Sequence, residues 1–173
     1  MKKIVLYGPE STGKTTLAKQ LAAHYNTLWV PEFMRHYLEE KWKTKKEMVS
    51  KKDLVPIAKG QLELEKESLK KVEKLLICDT NLLELKVYSE YYYNGFCPEF
   101  IQKEALKNNT AMYLLTYIDI PWEADILRDQ PNNREEMFHI FEAELKKNSF
   151  PYQILEGNKE ERLQKAIEII NGL

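Results

Sequence analysis

Gly8-Pro9-Glu10-Ser11-Thr12-Gly13-Lys14-Thr15 is the stretch on which the reading of this chain turns. A short apolar run with strand character, Ile4-Val5-Leu6-Tyr7, stands before it. After it Leu17, Ala18, Leu21, Ala22 and Tyr25 recur at helical spacing. The stretch obeys G-x-x-x-x-G-K-[ST], and between a strand and a helix each part of that pattern has a physical task. The glycines let the backbone wrap an anion with no side chain in the way. Successive backbone N–H groups form an anion nest, and the following helix adds its positive N-terminal end. Lys14 offers charge to outer phosphates, and Thr15 offers a hydroxyl to magnesium. The segment therefore predicts binding of ATP and Mg2+, with Gly8, Glu10, Ser11, Thr12, Gly13, Lys14, Thr15 and Thr16 around the nucleotide. In this reading Lys14 has no packing role.

Working outward, apolar runs alternate with amphipathic ones. Leu28-Trp29-Val30, Leu75-Leu76-Ile77-Cys78, Ala111–Thr116 and Tyr152–Leu155 read as four further strands. Helices are expected from Phe33 to Trp42, from Asp53 with Pro56 in its first turn, from Leu82 to Tyr93, after Pro98, and from Arg134 to Lys147. Pro121 should open another helix that Pro131-Asn132-Asn133 interrupts. A last helix is expected from Asn158, capped through Glu161, with Leu163, Ala166, Ile167 and Ile170 as its buried face. The lysine-rich run Lys41–Lys52 reads as a solvated loop. Strands that are apolar throughout and alternate with helices imply a parallel sheet covered on both faces.

The 173 residues fit one domain, 1–173, with no linker or repeat to divide it. Charges nearly balance, 26 basic against 27 acidic, which argues against nucleic acid as a partner. No stretch approaches the ~20 apolar residues of a membrane span, and no secretory leader is evident. Cys78 and Cys97 make neither a disulfide framework nor a zinc pattern, which suits reduced thiols in the cytoplasm. Nothing in the sequence points to an obligate protein partner.

Other groups belong with the phosphate loop. Asp79 ends the third strand, where ligands bind in such sheets, and is the expected magnesium carboxylate or the group that orients an acceptor hydroxyl. Glu32 and Arg35 follow the second strand, and Trp122 follows the fourth. Arg128 and Arg134 flank Pro131-Asn132-Asn133, as arginines of a closing lid would. Tyr91-Tyr92-Tyr93 reads as packing, and His24, His36 and His139 as structural. A GTP-reading switch should carry Asn-Lys-x-Asp on a late strand, and this chain has none.

These segments together resemble the kinase domain of bacterial ribosylnicotinamide kinases, often fused to an adenylyltransferase in regulators of NAD salvage. Glu10 inside the loop, Pro31-Glu32-Phe33-Met34-Arg35-His36-Tyr37, Ile57-Ala58-Lys59-Gly60-Gln61 and Ile77-Cys78-Asp79-Thr80 carry the resemblance. So does Pro121-Trp122-Glu123-Ala124-Asp125-Ile126-Leu127-Arg128. The family's second Asp after Asp-Thr is Asn81 here, and the Gly of its lid segment is Ile126. The resemblance implies a P-loop fold with strand order 2-3-1-4-5 and a helical lid. It also implies a nucleoside-like small-molecule substrate contacted by Glu32, Arg35, Asp79, Trp122 and Asp125. Because Met1 leads straight into the first strand, a stand-alone kinase domain is expected. The favoured reaction is phosphorylation of nicotinamide riboside; a kinase for another nucleoside or small metabolite, or a P-loop switch, is the alternative.

Overall fold

The computed structural model describes residues 1–107, 109–121 and 133–173. Five strands, β1 (Lys2–Tyr7), β2 (Trp29–Val30), β3 (Leu75–Asp79), β4 (Met112–Thr116) and β5 (Tyr152–Leu155), form one sheet ordered β2-β3-β1-β4-β5. Every pairing is parallel. β1 lies between β3 and β4, and β2 pairs with β3 rather than with β1. The phosphate loop thus leaves the centre of the sheet.

Alternation along β1 sorts the core into two layers. Ile4 and Leu6 face helices α1 (Lys14–His24) and α7 (Lys159–Asn171), with Leu17, Leu21, Ala166 and Ile170 in the same apolar cluster. Val5 and Tyr7 face the other side. There the cluster takes in residues of α3 (Leu54–Leu69), α4 (Leu82–Tyr92), α5 (Glu99–Leu106) and α6 (Arg134–Lys147). Helix α2 (Phe33–Lys45) packs Phe33, Met34 and Tyr37 against this second layer.

Local signals account for most element ends. Asn158 accepts from the N–H groups of Glu160 and Glu161 while Glu161 answers the Asn158 N–H, which closes the expected capping box. Asn81 caps α4 by accepting from Leu83 N–H and donates to the Tyr113 hydroxyl at 3.0 Å, so its amide does structural work.

Three expectations need correction. Helix α2 runs three residues past Trp42, and the lysine-rich run is not a solvated loop throughout. Lys41 Nζ lies 2.7 Å from Asp53 Oδ2, with both side chains largely buried. In α7 the buried set is Arg162, Ala166 and Ile170, while Leu163 and Ile167 are only partly covered. His24, His36 and His139 sit exposed on helices. Both cysteines are free and buried. No helix among the described residues is long and apolar enough to cross a membrane.

Candidate active site

β1 ends at Tyr7, and the chain turns at Gly8 with φ 135°, a conformation L side chains rarely adopt. A Cβ there would stand 2.9 Å from Thr116 Oγ1 and 3.0 Å from Thr116 O, so β4 leaves no room for one. Gly13, with φ 82°, is the N-cap of α1 and brings the loop onto the helix axis. Thr12 Oγ1 lies 2.8 Å from Pro9 O and 2.7 Å from Thr116 Oγ1, which fixes the loop's inner side to β4.

Two arginines fasten the outer side. Arg134, the first residue of α6, donates from Nη1 to Ile120 O at 2.9 Å and from Nη2 to Ser11 O at 3.1 Å. Arg162 donates from Nη1 to Thr12 O at 2.6 Å, from Nη2 to Tyr117 O at 2.8 Å and from Nε to Gly157 O at 2.9 Å. It is also paired with Asp119. Arg134 thus stands against the loop it was expected to approach as part of a lid. Arg162 carries no sequence signal beyond its place in a helix.

Lys14 is buried, which corrects the expectation that it has no packing role. Its Nζ donates to Gly8 O at 2.6 Å and Pro9 O at 2.9 Å and lies 3.4 Å from Glu84 Oε1. Glu84 was not singled out from the sequence, where it is one charge in an amphipathic helix. In the structure it is 3% exposed and receives the Gly8 N–H at 3.4 Å. Burial pushes its carboxyl up to about 8, against the pull of Lys14 and with the help of Glu32 and Asp79.

Asp79 ends β3 beside the loop. Thr15 Oγ1 donates to its Oδ2 at 2.5 Å, while its buried Oδ1 has no hydrogen-bond partner among the described residues. Burial raises the Asp79 carboxyl above its ordinary value. A hydroxyl and an under-satisfied carboxylate oxygen, both hard donors, fit a magnesium ion that takes its remaining ligands from phosphate and water. Thr15 and Asp79 are the residues that would hold it.

The loop opens into a cavity of about 560 Å³. Glu10, Ser11, Thr12, Gly13, Lys14, Thr15, Thr16, Glu32, Arg35 and Asp79 all line it, so these expected site residues come together. Gly8 is buried beneath the loop. Glu32 is the N-cap of α2, and Arg35, one turn on, is paired with Glu39 at 3.3 Å. Tyr88, Tyr92 and Tyr93 also face the cavity, so the aromatic run read as packing supplies two of its walls. Aromatic content alone could not separate these roles. The expectations for Trp122, Asp125 and Arg128, and for the lid around them, lie outside the described residues.

A phosphate loop on the central strand of a 2-3-1-4-5 parallel sheet, with a strand-end aspartate beside its threonine, defines a P-loop nucleotide-binding protein. Residues 3–162 match the family model described as AAA domain, and the chain belongs to that family. Along its whole length it is 23% identical to the trifunctional NAD biosynthesis/regulator protein NadR of Escherichia coli K12, and it spans 43% of that protein. A crystal structure of NadR in complex with NR superposes with a TM-score of 0.81 at 20% identity, covering 99% of this chain and 50% of that one. Deoxyadenosine kinase from M. mycoides superposes with a TM-score of 0.73 at 17% identity, over 99% of this chain and 100% of the other. The fold is therefore shared with P-loop nucleoside kinases, and the relatives agree with the resemblance read from the sequence.

Proposed function

We propose that this chain, acting as one domain over residues 1–173 in the cytoplasm, is an ATP-dependent kinase for an unphosphorylated nucleoside, with nicotinamide riboside the leading acceptor in NAD synthesis. The observation that carries the reading is the charge of the cavity beyond the phosphate loop. Glu10 and Glu32 bring negative charge to it, beside Tyr88, Tyr92 and Tyr93. Among the described residues its cations are Lys14, Arg35 and Lys159. Lys14 belongs to the phosphate loop, and Arg35 is paired with Glu39. An acceptor already carrying phosphate would meet like charge, which is costly. A cationic nicotinamide ring over a tyrosine face would instead gain roughly 0.5–2 kcal/mol. The likeness to NadR solved with NR supports the same choice.

Each residue then has a task. The backbone N–H groups of the loop and Lys14 hold the phosphates and gather charge as the phosphoryl group moves. Magnesium on Thr15 and Asp79 would neutralise the outer phosphates when bound. Glu32, at the cavity end of β2, would accept the acceptor's hydroxyl proton, while Asp79, beside Thr15, would serve the metal. The likeness to deoxyadenosine kinase favours a second reading, a kinase for a purine or pyrimidine nucleoside at the same site.

A screen of ATP consumption across nicotinamide riboside, deoxyadenosine, cytidine, thymidine and their monophosphates separates these readings. Nicotinamide riboside should give the highest kcat/KM, and the monophosphates none. Turnover of a monophosphate would overturn the acceptor class. ATP consumption that no nucleoside stimulates would overturn the kinase.

A further inference from the structure

The chain between α2 and α3, which shares the cavity with the phosphate loop, is held more tightly than its lysine-rich sequence suggests. Lys46, with φ 56°, ends α2, and residues 46–50 run on without helix or strand to a 3-10 turn at Lys51–Asp53. Asp53, 8% exposed, is the knot of this segment. Its Oδ1 accepts from the Tyr37 hydroxyl at 2.8 Å. Its Oδ2 accepts from Lys41 Nζ at 2.7 Å, Ser50 N at 2.7 Å and Ser50 Oγ at 2.8 Å. Lys41 Nζ also donates to Met48 O at 3.1 Å. One carboxylate therefore ties the segment to α2 directly and fixes the Met48 backbone through Lys41.

The far side of the segment is tied to the end of α4. The Tyr93 hydroxyl donates to Val49 O at 3.3 Å. Lys51 Nζ lies 4.7 Å from the Phe96 ring centroid and 5.6 Å from that of Tyr93. Between these ties Met48 and Val49 line the same cavity as Tyr88 and Tyr92, whose rings stack at 5.9 Å and 23°. Met48 remains 47% exposed although its neighbours are anchored. A polarizable thioether and aromatic rings lining one cavity suit a flat ring between them.

We propose that residues 46–53 form the wall that selects the acceptor's base, with Met48 the specificity-determining contact and Asp53 the positioning residue that sets it. This rests on the kinase reading above and adds where the acceptor's flat ring lies. The ring inserts between Met48 and Val49 on one side and the α4 tyrosines on the other, and the sugar hydroxyl points back to Glu32 and Asp79. Asp53 does not line the cavity, and its partners are Tyr37, Lys41 and Ser50, so its effect reaches the acceptor only through the segment it holds.

The test is steady-state kinetics of the full chain with ATP and nicotinamide riboside, deoxyadenosine and cytidine, for wild type, Asp53→Asn and Met48→Ala. Asp53→Asn should raise the acceptor KM by about tenfold and change the ATP KM by less than about twofold, the pattern of lost acceptor binding. Met48→Ala, on a half-exposed side chain, should leave the melting temperature in place and alter the ratio of kcat/KM between nicotinamide riboside and the other two nucleosides. If Asp53→Asn fails to fold, Met48→Ala decides alone. Unchanged acceptor KM and unchanged selectivity in Met48→Ala would overturn the inference, as would an equal rise in the KM of ATP and acceptor in Asp53→Asn. A wild-type protein that phosphorylates no nucleoside would overturn the kinase reading and this inference with it; an active wild type with indifferent variants would overturn the inference alone.

Discussion

Lys14 Nζ and Glu84 Oε1 lie 3.4 Å apart under the phosphate loop, so the cation meant for phosphate already faces a buried carboxyl group. Removing the cation therefore does two things. Lys14→Ala should lower turnover on the order of 10²-fold by taking away a preorganised contact to the phosphates. Above about pH 8, where Glu84 is charged, it should also lower the melting temperature without nucleotide, because Glu84 loses its partner. Lys14→Ala with Glu84→Gln should regain stability but no activity. Equal stability of the single and double variants would show that the pair carries no such coupling.

Glu84 also sets a pH dependence. Lys14 from α1, Glu32 before α2, Asp79 on β3, Tyr7 on β1 and Tyr88 on α4 are the titratable groups around it. Its carboxyl is raised from 4.5 to about 8, so the folded chain holds a proton there that the unfolded chain has released. Its contribution to stability is full below about pH 4.5 and is lost as pH rises through about 8. Glu84→Gln cannot titrate. The melting temperature of this variant should gain on the wild type as pH goes from 4.5 to 8 and hold a constant difference beyond. Parallel curves across that range would place the proton elsewhere.

Asp79→Asn should nearly abolish phosphoryl transfer and leave ATP binding measurable. The amide keeps the shape and the contact with Thr15 but not the charge that a metal needs. Burial raises the Asp79 carboxyl, so the neutral amide should not lower the apo melting temperature. Retained turnover with unchanged magnesium dependence would move the metal to another carboxylate.

Much of the fold was legible because its signals are local. β5 and the Asn158 cap fall where spacing and the Glu161 partner put them. β1 starts earlier than its apolar run because Lys3, a poor strand-core residue by type, is buried against Glu65 at 3.1 Å. The pair joins β1 to α3 across 62 positions, which no window of sequence reveals. The same holds for the site. The loop, Asp79, Glu32 and Arg35 follow from motif and strand ends. Glu84, Arg162 and the Asp53 knot do not, because each looks like an ordinary helix or loop charge until the chain folds back on it. Tyr92 and Tyr93 were assigned to packing for the same reason.

Arg162→Ala should destabilise the fold, since it strips donors from Thr12 O, Tyr117 O and Gly157 O and the partner from Asp119. Arg162 is buried while Asp119 is partly exposed, so the loss comes chiefly from carbonyls left without a donor, about 1–3 kcal/mol each. Thr12 O belongs to the phosphate loop, so the ATP KM should rise as well, and lysine should restore charge but not the three-way fork. A melting temperature within about a degree of wild type would mean the contacts are dispensable.

Arg134 joins the phosphate loop to α6. Its guanidinium spans two carbonyls, Ser11 O in the loop and Ile120 O after β4, and burial together with the neighbouring Arg162 lowers its pKa. A second cation this close to Arg162 is unfavourable unless negative charge arrives between or beside them, which bound phosphate supplies. Arg134 should therefore matter more once phosphates are present than in the empty protein. Arg134→Ala should lower kcat at saturating ATP and nucleoside by at least about tenfold, or ~1.4 kcal/mol of barrier. The apo melting temperature should change little, because relief from Arg162 offsets the lost carbonyl bonds. Arg134→Lys should recover only part of kcat, because one ammonium cannot make the planar two-point contact. If kcat in Arg134→Ala stays within about threefold of wild type while the apo protein is strongly destabilised, Arg134 is a clamp on the loop, and among the described residues the side-chain charge that meets the moving phosphoryl comes from Lys14.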